Sequence, residues 1–318
     1  MNKIVAIGGG TGLSILLAGL KNYFQVTAVV TVGDNGGGSG ILREDLNMLP
    51  PGDVRNCLLA LSEAPEELRG LLNYRFIRGS LKGQSLGNLM LAAMSEEYGS
   101  FRKAVAVLSS LLKLKGLVLP VSSSAMDLSA RLSDGSVVLG ESEIAKAALA
   151  RRARIEEIYL QAEVPLLAEV VEAIEEAEFI VLGPGSLYTS VIANLLVGEM
   201  PQLLAKKKIV YICNLMTQRE ETANYSLGDH VLEIERYLKR PVDIIIGNQK
   251  MPPADVLEAY RAEESEPVKI TPEERKYFGR RLILDEFLEV KNSYIRSAAD
   301  KIGERLLELY ADEDVFIG

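Results

Sequence analysis

The sequence predicts an α/β protein with a doubly wound, mostly parallel sheet of Rossmann-like type, a helical insertion and a small β-hairpin. Three observations carry that expectation. Lys3 to Ile7 is a short β-branched run that stops at Gly8–Gly12, and helical spacing over Leu13 to Leu20 and a second apolar run over Gln25 to Val32 follow. Later apolar runs repeat the pattern of strand, tight turn and helix: Phe179 to Leu182 before GPGS, Lys208 to Cys213 before NLMTQ, and Val242 to Ile246 before Gly247-Asn248. Finally, Asp134-Gly135 lies between two alternating runs, Leu128 to Leu132 and Ser136 to Leu139, a strong hairpin signal.

Between the second run and the next strand the alternation breaks. Val54 to Glu63, Pro65 to Phe76, Leu86 to Glu97 and Phe101 to Leu114 all have helical spacing. Asp53 or a neighbour is placed to cap the first of these. A helical insertion over about 54–115 is therefore expected within a single domain spanning 1–318. Gly116 to Val121 resumes as a strand, and Ile155 to Leu160 reads as another. Val164 to Glu176, Ser186 to Leu196, Leu227 to Leu238 and Ala254 to Arg261 read as helices. The acidic run 262–275 reads as a surface connection, and Asn292 to Tyr310 as a closing helix.

Composition narrows the function. Forty-four acidic against 35 basic residues give a formal charge of −9, which argues against a general nucleic-acid binder because phosphate-backbone binding needs a basic surface. No apolar stretch reaches the ~20 residues that span a bilayer, and the opening MNKIVAIGGG is too short for a signal peptide, so a cytoplasmic protein without membrane contact is expected. Cys57 and Cys213 both sit in apolar runs and read as buried hydrophobes. His230 is the only histidine, which excludes a multi-histidine metal site and disfavours serine-hydrolase chemistry.

The densest chemistry lies in TVGDNGGGSGILREDLNMLPPGDVRN, residues 31–56. Gly loses the most backbone entropy on folding, so four glycines among Gly36 to Gly40 suit a binding loop in close approach to a ligand better than scaffolding. Asp34, Asn35, Gly36, Gly37 and Ser39 form one candidate wall, and Asp53, Arg55 and Asn56 a second. Gly9, Gly10, Thr11 and Gly12 present backbone N–H groups and a helix start, a setting for phosphate or carboxylate. The dinucleotide fingerprint fits poorly, since Leu13 stands where its third glycine belongs, and no Gly-Lys-Ser/Thr follows for a P-loop. Gly183, Pro184, Gly185 and Ser186 repeat the strand–turn–helix arrangement, with Ser186 as the expected N-cap, and two such turns suit a ligand with more than one phosphate. Asn88, Asn214 and Thr217 follow turns or strand ends on the same expected rim. Asp34 and Asp53 can hydrogen-bond a ribose, serve as caps, or hold Mg²⁺ or Ca²⁺, hard cations that prefer oxygen; no cofactor is required by these residues.

Taken together in order, GGGTG, TVGDNGGGSG, PPGDVRNCL, NYRF, SLGNL, GPGSLYTS and NLMTQ resemble the YvcK-like proteins of bacteria, the gluconeogenesis factors of the wider CofD-like superfamily. The resemblance implies a Rossmann-like fold whose strand ends bind UDP-sugars, notably UDP-N-acetylglucosamine. It further implies a regulatory role in carbon and cell-wall metabolism and in cell shape, exerted through protein partners; oligomeric state is left open, a homo-oligomer included. In that family a late tyrosine and a late arginine accompany the sugar nucleotide, and Tyr260 and Arg296 are the matching positions. Ser297, Arg219 and Gln84 stand where relatives commonly carry histidine, glycine and histidine respectively. The enzymatic relatives use a metal-assisted transfer of a 2-phospholactyl-type group from a nucleoside-diphosphate donor, an alternative that would give Asp34 and Asp53 catalytic roles.

Overall fold

The strands expected from their β-branched runs assemble around Lys3–Gly8 (β1), whose side chains are buried from Ile4 onward. The structure, a computed structural model, describes residues 1–312. In chain order the other strands are Gln25–Val30 (β2), Leu117–Pro120 (β3), Leu128–Leu132 (β4), Val137–Leu139 (β5), Ile155–Leu160 (β6), Phe179–Leu182 (β7), Lys208–Ile212 (β8), Ile244–Asn248 (β9), Leu282–Asp285 (β10), Leu288–Lys291 (β11) and Tyr294–Ser297 (β12). Seven of them form one sheet in the order β10-β9-β8-β7-β1-β2-β3. Every pairing in that sheet is parallel. Strands buried on both faces explain why β7 reads as the uninterrupted apolar run FIVL.

Chain order runs outward from β1 through β2 and β3 on one side, and through β7 to β10 on the other. The reversal falls between β1 and β7, and ligands in open α/β sheets sit beyond the strand ends at such a point. Helix Gly10–Leu20 (α1) leads out of β1 and buries Leu13, Leu16, Leu17 and Leu20 against the sheet. The closing helix Ala299–Ala311 lies against α1 so closely that a Cβ on Gly19 would collide with Ala299 and one on Gly303 with the Tyr23 ring. Phe24 meets Phe179 edge-to-face at 5.5 Å, a contact of about 1 kcal/mol beyond its area.

Five helices fill the connection from β2 to β3: Gly37–Asp45 (α2), Gly52–Leu61 (α3), Glu66–Asn73 (α4), Leu86–Tyr98 (α5) and Phe101–Leu111 (α6). The helical stretch thus begins well before residue 54. Gly37–Asp45, read from sequence as part of a glycine loop, is a helix because Gly36 stays extended as its cap and Gly40, lacking a Cβ, passes against the Asn35 carbonyl. Pro51 rather than Asp53 occupies the cap position of α3. Strands β5-β4-β6 form a separate antiparallel sheet around the expected hairpin.

Two expectations in the C-terminal third are corrected. The helix expected over Asn292 to Tyr310 begins only at Ala299, and β11 and β12 form an antiparallel hairpin before it. Asn292 and Ser293 both adopt positive φ, 50° and 63°, as the two central residues of a type I′ turn require. The run 262–275 is more than a connection. Pro267 and Lys269 bridge to Met216 and Ser226, and Thr271 and Glu274 form a capping box at the start of helix Pro272–Phe278.

Candidate functional site

At the sheet's reversal point the turns after β1 and β7 touch. A Cβ on Gly12 would lie 2.7 Å from the Pro184 carbonyl oxygen, and one on Gly185 would lie 3.1 Å from that of Gly9. Above them opens a cavity of about 490 Å³, within the range of small-molecule sites. Of the residues anticipated from sequence, Gly9, Gly10, Thr11, Gly12, Asp34, Asp53, Pro184, Gly185, Ser186, Asn214, Tyr260 and Arg296 line it.

The β7 turn is held by the segment after β8. Asn214 Oδ1 accepts from the Gly185 N–H at 3.0 Å, and Asn214 Nδ2 donates to the Gly185 carbonyl at 2.8 Å. Gln218 Nε2 donates to Ser186 Oγ at 3.0 Å. Ser186 stands at the cap position of the π-helical turn Leu187–Ile192, but its hydroxyl caps no backbone N–H. On the β1 side, Asn194 Nδ2 donates to the Gly8 and Ser190 carbonyls at 3.1 and 2.7 Å.

Tyr260 and Arg296 come to the cavity from different elements, and one contact joins them. The Ile295 N–H donates to the Tyr260 hydroxyl at 3.0 Å, while Arg296 stacks over Tyr294 with its guanidinium carbon 4.8 Å from the ring centre. Helix Ala254–Ala262 and the β11–β12 hairpin therefore present one shared wall.

The floor is acidic. Burial, with a smaller contribution from Asp34, pushes the Asp53 carboxyl up to about 6, opposed by the Gly10 N–H and Arg55. Glu141, at the head of helix Glu141–Arg151, joins the lining and is pushed up to about 7 by burial and then by Asp34, Glu221 and Asp53. Sequence reading missed Glu141 because it follows the β4–β5 hairpin, over 85 positions from Asp53. Its only local signal is a carboxylate behind Gly140. Thr189, Ser190, Gln218 and Thr31 were also missed, being ordinary polar residues in sequence.

The remaining anticipated residues support the cavity or lie away from it. Asp34 Oδ1 accepts the Gly36 N–H at 2.8 Å, fixing the entry to α2, and Asn35 Oδ1 accepts the Ser142 N–H at 2.9 Å, joining that entry to the Glu141 helix. Gly37 opens α2, and the buried Ser39 packs against Gly52. Arg55 donates to Ser85 and, at 2.6 Å, to Asn56. Burial, and then the like charge of Arg75, pushes Arg55 down to about 10. Asn88 sits in the first turn of α5, its N–H donating to Ser85 Oγ at 3.2 Å. Gly183 shapes the β7 turn with φ +73°, and Thr217 ties its segment to Ser265 and Glu266. None of Asn35, Gly36, Gly37, Ser39, Arg55, Asn56, Asn88, Gly183 and Thr217 lines the 490 Å³ cavity.

Buried groups elsewhere read as structural. His230 is buried, with Nδ1 2.8 Å from the Ser226 carbonyl and its ring edge-on to Tyr225. Cys57 and Cys213 are free and buried. Among the described residues no helix is long and apolar enough to cross a membrane.

A family model described as 2-phospho-L-lactate transferase CofD matches residues 4–288. The chain belongs to the CofD family. Within it, the similarity is to proteins named gluconeogenesis factors. A Thermotoga maritima protein provisionally so named is 50% identical over 275 residues, which cover 85% of this chain and 86% of the relative. The gluconeogenesis factor of Bacillus subtilis is 42% identical over 313 residues, 96% of this chain and 98% of the relative. A crystal structure of a member of the UPF0052 family from Bacillus halodurans superimposes with a TM-score of 0.92 at 41% identity, covering 96% of this chain and all of that one.

Proposed function

We propose that the protein is a nucleotide-sugar-binding regulator whose cavity takes UDP-N-acetylglucosamine or a close relative. The observation that carries this reading is the pair of glycine turns side by side at the reversal point of the sheet, with Tyr260 and Arg296 on the facing wall. The diphosphate would lie against the N–H groups at the start of α1 and beside Gly185 and Ser186, and uridine and sugar against Tyr260 and Arg296. Regulation in carbon and cell-wall supply would follow if the ligand bound one conformation more tightly than another, as any ligand-driven shift requires.

The acidic floor adds a condition. Asp34, Asp53 and Glu141 would repel a bare diphosphate, and Arg296 is the only cation among the described lining residues. Carboxylate oxygens suit Mg²⁺ or Ca²⁺, and burial already disfavours charge on Asp53 and Glu141 when no cation is beside them. Among the described residues no group of three or more His, Cys, Asp or Glu side chains forms a metal site by itself, so ligand oxygens and water would complete the shell. Such an ion would neutralise the floor and draw in the diphosphate. Calorimetric titration of UDP-N-acetylglucosamine with and without Mg²⁺ tests the reading. Heat that grows with the ion is expected; no heat and no thermal shift at millimolar ligand, with or without the ion, rejects it.

A second reading, a CofD-type transferase, is favoured by the match over residues 4–288 and by the carboxylates in the cavity. Incubation with nucleoside-diphosphate-activated 2-phospholactate, an acceptor and Mg²⁺ should then release nucleotide, and Asp53→Asn should abolish the release while leaving the fold intact.

A further inference from the structure

A second cavity, of about 630 Å³, is used by no part of the proposed function. Three arginines line it: Arg152 and Arg154 at the end of helix Glu141–Arg151, and Arg219 in the segment after β8. All three side chains are exposed, and among the described residues none makes an ion pair or side-chain hydrogen bond. Yet carboxylates are close at hand. Asp229 is occupied by the capping box with Ser226, Glu233 by Arg236, and the buried Glu221 by the Thr189 hydroxyl at 2.6 Å and the Tyr188 N–H at 2.9 Å. Glu220 and Glu264 also line the cavity, and among the described residues neither forms an ion pair with the arginines. Asp229 keeps its charge within the capping box, so with Glu220 and Glu264 the lining carries no surplus of positive charge; what it offers an anion is three fork-shaped guanidiniums without a partner, the geometry that grips phosphate oxygens in pairs.

Two rigid elements connect this cavity to the first. Helix Glu141–Arg151 puts Glu141 in the first cavity and ends beside Arg152 in the second, eleven residues or about 16 Å along its axis. The segment Gln218–Tyr225 does the same over a shorter distance: Gln218 faces the first cavity, and Arg219, Glu221 and Tyr225 face the second. That segment is stapled by Gln218 N–H to Thr222 Oγ1 at 2.9 Å and by Thr222 N–H to the Gln218 carbonyl at 2.7 Å. It is bonded to the floor of the first cavity through Glu221 and Thr189 and through Gln218 and Ser186.

We propose that the Arg152–Arg154–Arg219 cavity is an effector site for a small phosphate-bearing molecule, and that its occupancy adjusts the first cavity through the Glu141 helix and the Gln218–Tyr225 segment. An anion shared by Arg219 on one element and Arg152 and Arg154 on the other draws the two together, and each carries a group that lines the first cavity. Coupling of this kind is reciprocal, so a ligand in the first cavity changes affinity in the second by the same factor.

Inorganic pyrophosphate is the probe, used on the full chain. Calorimetry on the native protein, on Arg154→Ala/Arg219→Ala and on Arg154→Lys/Arg219→Lys reads binding. Hydrogen exchange, followed by mass spectrometry across Glu141–Ile144 and Ser186–Ser190, reads coupling. The expected result is saturable binding that falls at least tenfold in the alanine pair and is partly kept in the lysine pair. Exchange at both peptides should change on adding pyrophosphate to the native protein and not to the alanine pair. Because both arginines are exposed, their removal leaves the core untouched, and circular dichroism verifies this. Equal affinity in the native protein and the alanine pair, or no saturable binding, overturns the site. Binding lost in the alanine pair with no arginine-dependent change in exchange overturns the coupling. Pyrophosphate that enters the first cavity instead binds the native protein and the alanine pair alike, which is the outcome that overturns the site.

Discussion

Two glycine-rich stretches, Gly8–Gly12 and Gly36–Gly40, look alike in sequence and are glycine-rich for different reasons. In the first, the protein's own atoms occupy the space a side chain would need. A Cβ on Gly9 would meet Asp53 Oδ2 and Thr31 Cγ2, each at 2.6 Å, and one on Gly12 would meet the Pro184 carbonyl. In the second, Gly37 has open space around it and needs only its positive φ of +48°, Gly38 faces the far end of the Gln84 side chain, and Gly40 folds back on the Asn35 carbonyl of its own entry, so the stretch serves mainly to start α2. The first stretch lines the cavity; among the glycines of the second none does. Glycine density thus marks contact between turns remote in sequence in one place and the entry to a helix in the other, and only the neighbours tell them apart.

The harshest test of this contrast is Gly12→Ala. Backbone atoms of Pro184 cannot rotate aside, so a loss of about 3 kcal/mol is expected in urea unfolding. A loss below about 1 kcal/mol would mean that the two turns separate easily and that the first stretch resembles the second.

Asp53→Asn, next in size, probes the carboxylate that fills the space beside Gly9. In the folded chain Asp53 titrates at about 6 against an ordinary 3.8, so the folded state binds more protons than the unfolded one between those values. The stability associated with the neutral acid is therefore complete below about pH 3.8 and lost as pH rises through 6. Asparagine keeps an acceptor for the Gly10 N–H without the charge, so the ligand-free variant should gain about 2 kcal/mol at pH 7 and little near pH 4. A gain of equal size at both values would assign the effect to packing. Affinity for an ion-bridged diphosphate should fall in the same variant.

Across the cavity, Tyr260→Phe strands the N–H of the buried Ile295, at a cost of about 1.5 kcal/mol. Loss of nucleotide-sugar affinity beyond that of a hairpin-independent control would show that the wall acts as a unit. The mildest change is Gly37→Ala. Positive φ without a clash should cost about 1 kcal/mol and leave ligand affinity unchanged, which a parallel titration checks.

Much of the fold was readable in advance because burial on both faces of a parallel sheet writes itself into local composition. Ala28–Val30 and Phe179–Leu182 are apolar without interruption, and each main strand ends at a turn residue that depends only on its own backbone. Misreadings arose where a local pattern served two structures. KNSYIRS has spacing compatible with a helix, and the positive φ of Asn292 and Ser293 turned it into a hairpin. The glycines of 36–40 suggested a loop because their low propensity hid the helix that packing imposes.

The same division holds at the site. Gly9 to Gly12, Asp34, Asp53 and Gly185 were accessible from residue type and position after a strand, since strand ends in a doubly wound sheet share one rim. That Arg55 turns to Ser85 rather than to the cavity, that Asn214 spends both ends of its amide on Gly185, and that Glu141 completes the acidic floor was not. Those facts depend on which groups meet across gaps of 29 to more than 100 positions, as from Asn214 to Gly185 and from Asn35 to Ser142. Local composition alone carried six of the seven strands of the main sheet, the turns after them and the kind of chemistry at their ends, because these follow from local burial and backbone preference. The tertiary structure alone decided which polar groups face the cavity and which are consumed holding it open, because hydrogen bonds and charge desolvation depend on neighbours brought together only by folding.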